Sequence, residues 1–581
     1  MKQHKEKLSS KTGVFDIETN GLLLDVTTFW VGVVYIIEED KYYTYTDLEE
    51  LIEMLYSCTR IVGHNIIGYD IPAMEIVASR PLNELYMKAM DTLILSKLIM
   101  YDKDTGFSHS LKSWGQRLGE YKDHHEDWSK YSKEMEEYCK QDVTVTVRLY
   151  KHLQQVGAWL PRKAIEIEQQ VQKILAKQHI TGWKFDEKEA TKLHIYLTGE
   201  VEESLTKLQE VFKPLFLPQG KVKEPKKPFT RLKVHTLGPH QPIVLTEFNP
   251  GSGTHIVWWV ELLYGKQKWE LTAKDNPKTD SDTLEKMFKD KDWAAPLLHY
   301  LEVNKLLGQL AEGPKAWLKV IRNGRIHHSV DLLGTNTGRA THNSPNLAQV
   351  PSPKAYRGKE SRQLFVPTEG YVAVGCDLSG VELRCLAHYM GDAEYTRNLL
   401  EGDIHTVNQH AAGLPTRDNA KTFIYGFLYG AGDGKIGQIV NGTSKQGKAL
   451  KAKFLEGLPA LGTLITKVKK AAKRGYLVGV SGRRLHVRSP HSALNVLLQS
   501  LGSYISKYWM VEAHKRIEEE GIRCNQIGWI HDELQFECHQ DDSKKLQKIL
   551  EESATKAGEI LELKCRIDAE AQEGENWYEV H

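Results

Sequence analysis

A chain of 581 residues is too long for one hydrophobic core and predicts roughly three to five domains or subdomains. Its 41% apolar and 26% charged residues, with no low-complexity tract, are ordinary for a soluble globular protein. A formal net charge of +1 excludes a global basic field, so any nucleic-acid contact must come from local patches.

The first thirteen residues, MKQHKEKLSSKTG, are charged and lack the apolar centre of a secretory leader. Seven scattered cysteines form no Cys-x-x-Cys pair, which favours reduced thiols. No window reaches the apolar length of a bilayer span, so the expectation is a cytoplasmic protein with no membrane partner. Val14 to Glu18 and Phe29 to Ile37 read as strands, followed by a helix-rich part to about Leu153, together an α/β domain. Residues 160–210 read as helical, broken at Thr181-Gly182-Trp183. Residues 213–250 hold seven prolines and a basic cluster beginning at Lys221, an irregular exposed insertion. Helical periodicity returns from about Asp282 to Val320, and a mixed region follows.

Asp16 and Glu18 lie two apart on the first strand, so both side chains leave one face. Paired carboxylates repel unless a cation lies between them, and oxygen ligands suit magnesium or manganese. Gly63-His64-Asn65 to Tyr69-Asp70 adds an acid beside turn residues, and Tyr138 and Asp142 share a helical face at i, i+4. Four carboxylates and a tyrosine suffice for two-metal phosphodiester hydrolysis, the tyrosine orienting the attacking water. A lone Asp-x-Glu is more often a solvated face; the ordered set is more specific. In the blocks FDIET, GHNIIGYDIP and YCKQD it resembles the DEDD exonuclease superfamily in its tyrosine-bearing subclass. The resemblance implies an RNase H-like domain in which Asp16, Glu18, Asp70 and Asp142 hold metal and Tyr138 positions the water.

Three later blocks carry chemistry. Tyr371 to Arg384 delivers Asp377 at the end of an apolar strand, with a helix beginning after Ser379-Gly380. Arg417, Lys421 and Tyr425 recur every four residues, a ladder of two cations and an aromatic that can hold a triphosphate and border a base. Asn525 to Cys538 reads as a β-hairpin with His531-Asp532-Glu533 at its tip. Together these resemble motifs A, B and C of family A DNA polymerases, nearest to the replicative polymerases of short-tailed lytic phages.

That resemblance implies an α/β and α+β multidomain fold, the exonuclease domain followed by a right-hand polymerase. Its expected parts are an exonuclease over 1–160, a thumb over 161–325 with the short insertion near 213–250, a palm over 326–390 and 490–581, and fingers over 391–489. It also implies Asp377 and Asp532 as metal ligands with the Leu378 carbonyl, two Mg2+ per active site with Mn2+ able to substitute. Arg417, Lys421 and His405 would hold the dNTP phosphates, Tyr425 would border its sugar, and Glu382 would exclude a ribose 2′-hydroxyl. Arg339 and Gln499 would read minor-groove acceptors common to all base pairs, with His531 at the primer terminus and Tyr429 also on DNA.

The implied partners are primer-template DNA and dNTPs, a host thioredoxin-type processivity factor, and a replicative helicase-primase. In the phage relatives a long basic thumb insertion recruits thioredoxin, and residues 213–250 are a shorter counterpart. Gly432-Asp433-Gly434 to Gly437 matches G-x-G-x-x-G but follows a helical pattern, so it reads as a fingers loop. The rivals are a single-subunit RNA polymerase, against which Glu382 and the N-terminal acids argue, and a DNA-binding scaffold with a decayed site, which predicts lost carboxylates.

Overall fold

A computed structural model describes residues 11–101, 108–120, 125–224 and 238–581; the first ten residues and most of the basic cluster, 225–237, lie outside the described residues. The chain divides into two compact units, one of residues 1–184, 327–350 and 365–581, the other of 185–326 and 351–364. Among the described residues no helix is long and apolar enough to cross a membrane.

The first unit opens with β1 (Thr12–Thr19), β2 (Phe29–Ile36), β3 (Lys41–Tyr45), β4 (Arg60–Gly63) and β5 (Ala89–Asp91), in sheet order β3-β2-β1-β4-β5. The β3-β2-β1 part is antiparallel, and β4 and β5 add in parallel. Alternation along β1 sets the layers: Phe15 and Ile17 enter one core, while Val14 enters another with Met135, Cys139 and Val143. Those three belong to α2 (Lys133–Val156), which lies over that face, and α1 (Asp70–Ala78) follows the loop after β4.

The helix α3 (Arg162–Thr181) packs on the β5 edge of this sheet, where Gln169 donates to Ala89 O at 3.0 Å and accepts from Asp91 N at 2.9 Å. The sequence reading began the thumb at 161; α3 instead belongs to the first unit, where its Glu168 pairs with Lys507. Residues 351–364, read as palm, fall in the second unit.

The rest of the first unit is built on β6 (Tyr371–Leu378), β7 (Cys524–Ile530), β8 (Glu533–His539) and β9 (Ala569–Gly574), an antiparallel sheet of order β7-β8-β6-β9. Between β6 and β7 come α4 (Val381–Met390), α5 (Arg417–Leu428) and the long α6 (Ala493–Glu519). The G-x-G-x-x-G segment follows α5 and forms the short helix Asp433–Gln438, not the strand-to-helix turn of a dinucleotide site.

In the second unit, helices Glu187–Val211, Gly253–Tyr264, Ser281–Phe288 and Ala294–Leu307 enclose Phe212, Phe248, Trp259 and Trp293. The described ends of the insertion are paired, not irregular: Leu215–Pro218 runs antiparallel to Ile243–Thr246. The helix Gly253–Tyr264 also departs from the sequence reading. Its run IVWWVELLY is apolar on nearly every side, so it shows no contrast of helical period, though Ser252 caps it by accepting from His255 N.

Candidate active sites

The N-terminal acids converge on one cavity of about 240 Å3, lined by Asp16, Glu18, Asp70, Asp142 and Tyr138, with Trp128 at its wall. Asp16 and Glu18 share the β1 face beneath α2, and Tyr138 and Asp142 stand one turn apart on α2. Asp70 arrives from the other side, in the first turn of α1, where the helix N-terminus favours negative charge.

Asp91, which the sequence reading passed over, holds the loop that delivers Asp70. Its buried carboxylate accepts from Asn65 N at 3.0 Å, Ile67 N at 3.2 Å and Leu93 N at 2.9 Å. Gly63 is required at the loop's start, because a Cβ there would lie 2.1 Å from Ile66 Cγ2 and 2.8 Å from Phe15 O. The Trp128 ring meets Tyr138 edge-on at 5.6 Å, and Trp30 Nε1 donates to Trp128 O at 3.0 Å, which holds the phenol's neighbour in place.

Glu18, Asp70 and Asp142 are almost wholly buried. Burial, then the nearby Asp91 charge, pushes Asp70 up to about 8, although Ile17 N donates to it at 3.3 Å. Such crowding of buried acids is relieved by a cation, and oxygen donors suit a hard divalent one. Donor atoms of Asp16, Glu18 and Cys139 lie within 4.8 Å of one another. The Cys139 thiol, however, donates to Asp16 O at 3.3 Å, and burial keeps it protonated by raising its pKa well above the ordinary value.

The second acid group is assembled by sheet register. Asp377 on β6 pairs with Glu533 on β8, and Leu378 N donates to Asp532 O at 3.0 Å, so the β6 end meets the β7–β8 turn. That turn is His531-Asp532, with His531 in the left-handed region at φ 60°. Ser506 Oγ and Trp529 Nε1 fix it by donating to His531 O at 2.8 and 2.9 Å. Glu533 points inward, accepting from Trp577 Nε1 and Gln535 Nε2, each at 2.6 Å.

Asp377 is exposed at its carboxylate, yet the surrounding protein, and then Asp532, pushes it up to about 7. Burial, then Glu382, raises Asp532 to about 6. After β6 the chain turns under Arg384, whose Nε donates to Ser379 O at 2.6 Å and whose Nη1 pairs with Asp568 Oδ2 at 2.9 Å. This turn starts α4 and sets Glu382 at its first turn. Glu382 Oε1 accepts from Tyr429 OH at 3.1 Å and from Arg339 Nη2 at 3.4 Å. Arg339, His531 and Asp532 line one small cleft.

Arg417, Lys421 and Tyr425 lie along α5, the two cations exposed and Tyr425 half-buried, its ring 6.5 Å from His405. Burial, then the Arg417 charge, holds His405 below its ordinary value. Arg417 is not idle: its Nε and Nη2 donate to Asp403 Oδ2 and Oδ1 at 2.6 and 3.2 Å, a partner the sequence reading missed. Gln499 is half-buried on α6.

The profile of DNA polymerase family A matches residues 238–579. The chain is 35% identical over 703 residues to the DNA-directed DNA polymerase of Enterobacteria phage T3, covering 98% of this chain and all of the relative. To that of Escherichia phage T7 it is also 35% identical, over 712 residues, at the same coverage of each. Both alignments exceed the chain's own 581 residues, so these relatives hold segments that this chain lacks. Among solved structures, the POL domain of Pol1 from M. smegmatis superposes with a TM-score of 0.79 at 19% identity, covering 98% of this chain and 96% of that one. The chain belongs to DNA polymerase family A. Within the family it is a DNA-directed DNA polymerase similar over its whole length to those two phage enzymes. Two-metal nucleotidyl transfer and proofreading are typical of the family, and its members depend on divalent metal.

Proposed function

We propose that the chain extends primers on a DNA template with dNTPs at the Asp377/Asp532 site and removes 3′-terminal nucleotides at the Asp16/Glu18/Asp70/Asp142 site. What supports the reading is that the carboxylates fall into two separate built sites, one of them a single cavity with Tyr138 at its wall. Mg2+ is the proposed ion, two per site, with Mn2+ as a substitute; bound there, the ions would activate the attacking oxygen and neutralise charge on the phosphates.

At the extension site Asp377, Asp532 and the Leu378 carbonyl hold the ions. Arg417, Lys421 and His405 grip the triphosphate, Tyr425 borders the sugar, and Glu382 excludes a 2′-hydroxyl. Arg339, Gln499, His531 and Tyr429 contact the primer-template. At the excision site Tyr138 orients the attacking water. Residues 185–326 act as the thumb, 391–489 as fingers, and the β6–β9 sheet as palm. As in phage-encoded relatives, the place of work is the host cytoplasm, with a replicative helicase-primase as partner. The hairpin of the insertion exposes Phe216 and Leu245, an apolar face on which a thioredoxin-type processivity factor docks.

The test is a 5′-labelled primer annealed to a longer template. With Mg2+ and dNTPs the label should move to full length; without dNTPs it should shorten from the 3′ end. A chain that performs only one of the two overturns the two-site reading, and efficient extension with ribonucleotides would favour an RNA polymerase.

A further inference from the structure

A buried network that neither reaction uses joins α3, which packs on the edge of the N-terminal sheet, to the segment carrying Arg339. Glu168 on α3 and Lys507 on α6 form an ion pair of 2.6 Å, with both side chains wholly excluded from solvent. Lys507 Nζ also donates to Leu332 O at 3.0 Å and Gly338 O at 2.9 Å. Ser503 Oγ, one turn earlier on α6, donates to the same Gly338 carbonyl at 2.7 Å.

Gly338 has no freedom to be anything else, since its φ is 85° and a Cβ would lie 2.9 Å from Arg483 Nη1. Arg483 is fully buried, and its guanidinium nitrogens make no hydrogen bond among the described residues. Lys507 therefore has one buried counter-charge, Glu168, bonded to it, and a second buried cation, Arg483, close enough to disfavour its own charge.

A buried ammonium is costly unless acceptors converge on it, and apolar residues of similar volume would often serve stability as well or better. The charge here does something an apolar pair cannot: it fixes one carbonyl in space. The next residue is Arg339, whose guanidinium reaches Glu382 at 3.4 Å beside the Asp532 cleft.

We propose that Lys507 is a positioning residue for Arg339, and that Glu168 keeps it aimed at Gly338. The α3–α6 contact thereby sets how firmly the primer terminus is gripped, and with it the balance between extension and excision. This rests on the reading of Arg339 as a primer contact and of the N-terminal site as an exonuclease.

The test uses the full chain with Lys507→Met, Glu168→Met, the double variant of both, and Arg339→Ala. The double variant removes both charges together, so it should fold even where a single change leaves one charge buried and unpaired. The readouts are melting temperature, KM for primer-template, excision of matched and mismatched 3′ termini, and degradation of single-stranded oligonucleotide. In the double variant we expect melting and single-strand degradation close to the parent's. KM should rise on the order of tenfold and matched termini should be excised severalfold faster, as follows from loosening one positioned group. Arg339→Ala should raise KM likewise.

If the folded double variant keeps the parent KM and matched-terminus excision while Arg339→Ala is impaired, the proposal fails and the reading of Arg339 stands. If Arg339→Ala is silent, that reading falls and takes the proposal with it. Parallel loss of melting temperature, extension and single-strand degradation would reduce the network to structural cement and overturn the proposal.

Discussion

Three of the four carboxylates in the N-terminal site are nearly inaccessible, whereas in the C-terminal site Asp377 is exposed and Asp532 half-buried. The first site is walled within one α/β layer by a strand face, a helix N-terminus and a long helix, and it raises Asp70 to about 8. The second is made where two strand ends meet, and raises its acids only to about 7 and 6. A cluster of buried acids can supply most of a metal's ligands from the protein itself. More exposed acids leave coordination positions that atoms of DNA and nucleotide would fill on the proposed function. The difference teaches that a shared chemistry can be partitioned by how much of the ion's shell the protein provides.

The largest test of this contrast is to break one site at a time. Asp532→Ala should lower extension by about a thousandfold or more while leaving single-strand degradation within about twofold, and Asp16→Ala should do the reverse. Gel assays on labelled oligonucleotides read both, and a folded variant that loses both activities would show the sites are not separate. Next in size is Glu382→Ala, which removes the side chain where Tyr429 and Arg339 meet. Discrimination against ribonucleotides should fall roughly a hundredfold, measured as the ratio of kcat/KM for dNTP and rNTP.

The raised acids also predict a pH effect with a definite sign. Asp70, Asp377 and Asp532 keep protons in the folded chain from the ordinary carboxylate range near 4 up to about 8, 7 and 6, where the unfolded chain has lost them. Their contribution to stability therefore declines as pH rises through that window. Buried His328 and His342, held down at about 3 and 4 chiefly by burial, act oppositely, costing stability as pH falls below about 6.5. The difference between melting with Mg2+ and with chelator isolates the acids. Stabilisation by Mg2+ should be larger at pH 8 than at pH 6, and equal gains at both would refute the crowding argument.

Much of both sites was legible because local spacing encodes a shared face. Asp16 and Glu18 on a strand, Tyr138 and Asp142 on a helix, and His531-Asp532 at a hairpin tip all appear where those periods place them. What was illegible depends on partners far apart in sequence. Asp91 reads as one more acid before a helix until the loop amides that it anchors are in view. Glu168 and Lys507 lie 339 positions apart and sit on helices whose patterns give no hint of each other. Glu533 looks like part of an acidic tip, but alternation turns it inward to Trp577.

The smallest expected effect concerns Arg417 and Asp403. The guanidinium proposed to grip a triphosphate is held bidentately by Asp403, and the hydrogen bonds from Arg417 and Thr406 keep that carboxyl well below its usual range. Both side chains are about half exposed, so the pair is weak in water and a polyanionic nucleotide can displace it. On that proposal Asp403 is a placeholder that holds the Arg417 guanidinium until the nucleotide takes it over. Asp403→Asn should lower KM for dNTP by about two- to fivefold and leave kcat nearly unchanged, because the competitor is removed but the groups that meet the nucleotide are not. A rise in KM would mean that Asp403 aims Arg417 more than it competes for it. The C-terminal site would then be more preorganised than its exposure suggests, and closer in kind to the buried acids at the other end of the chain.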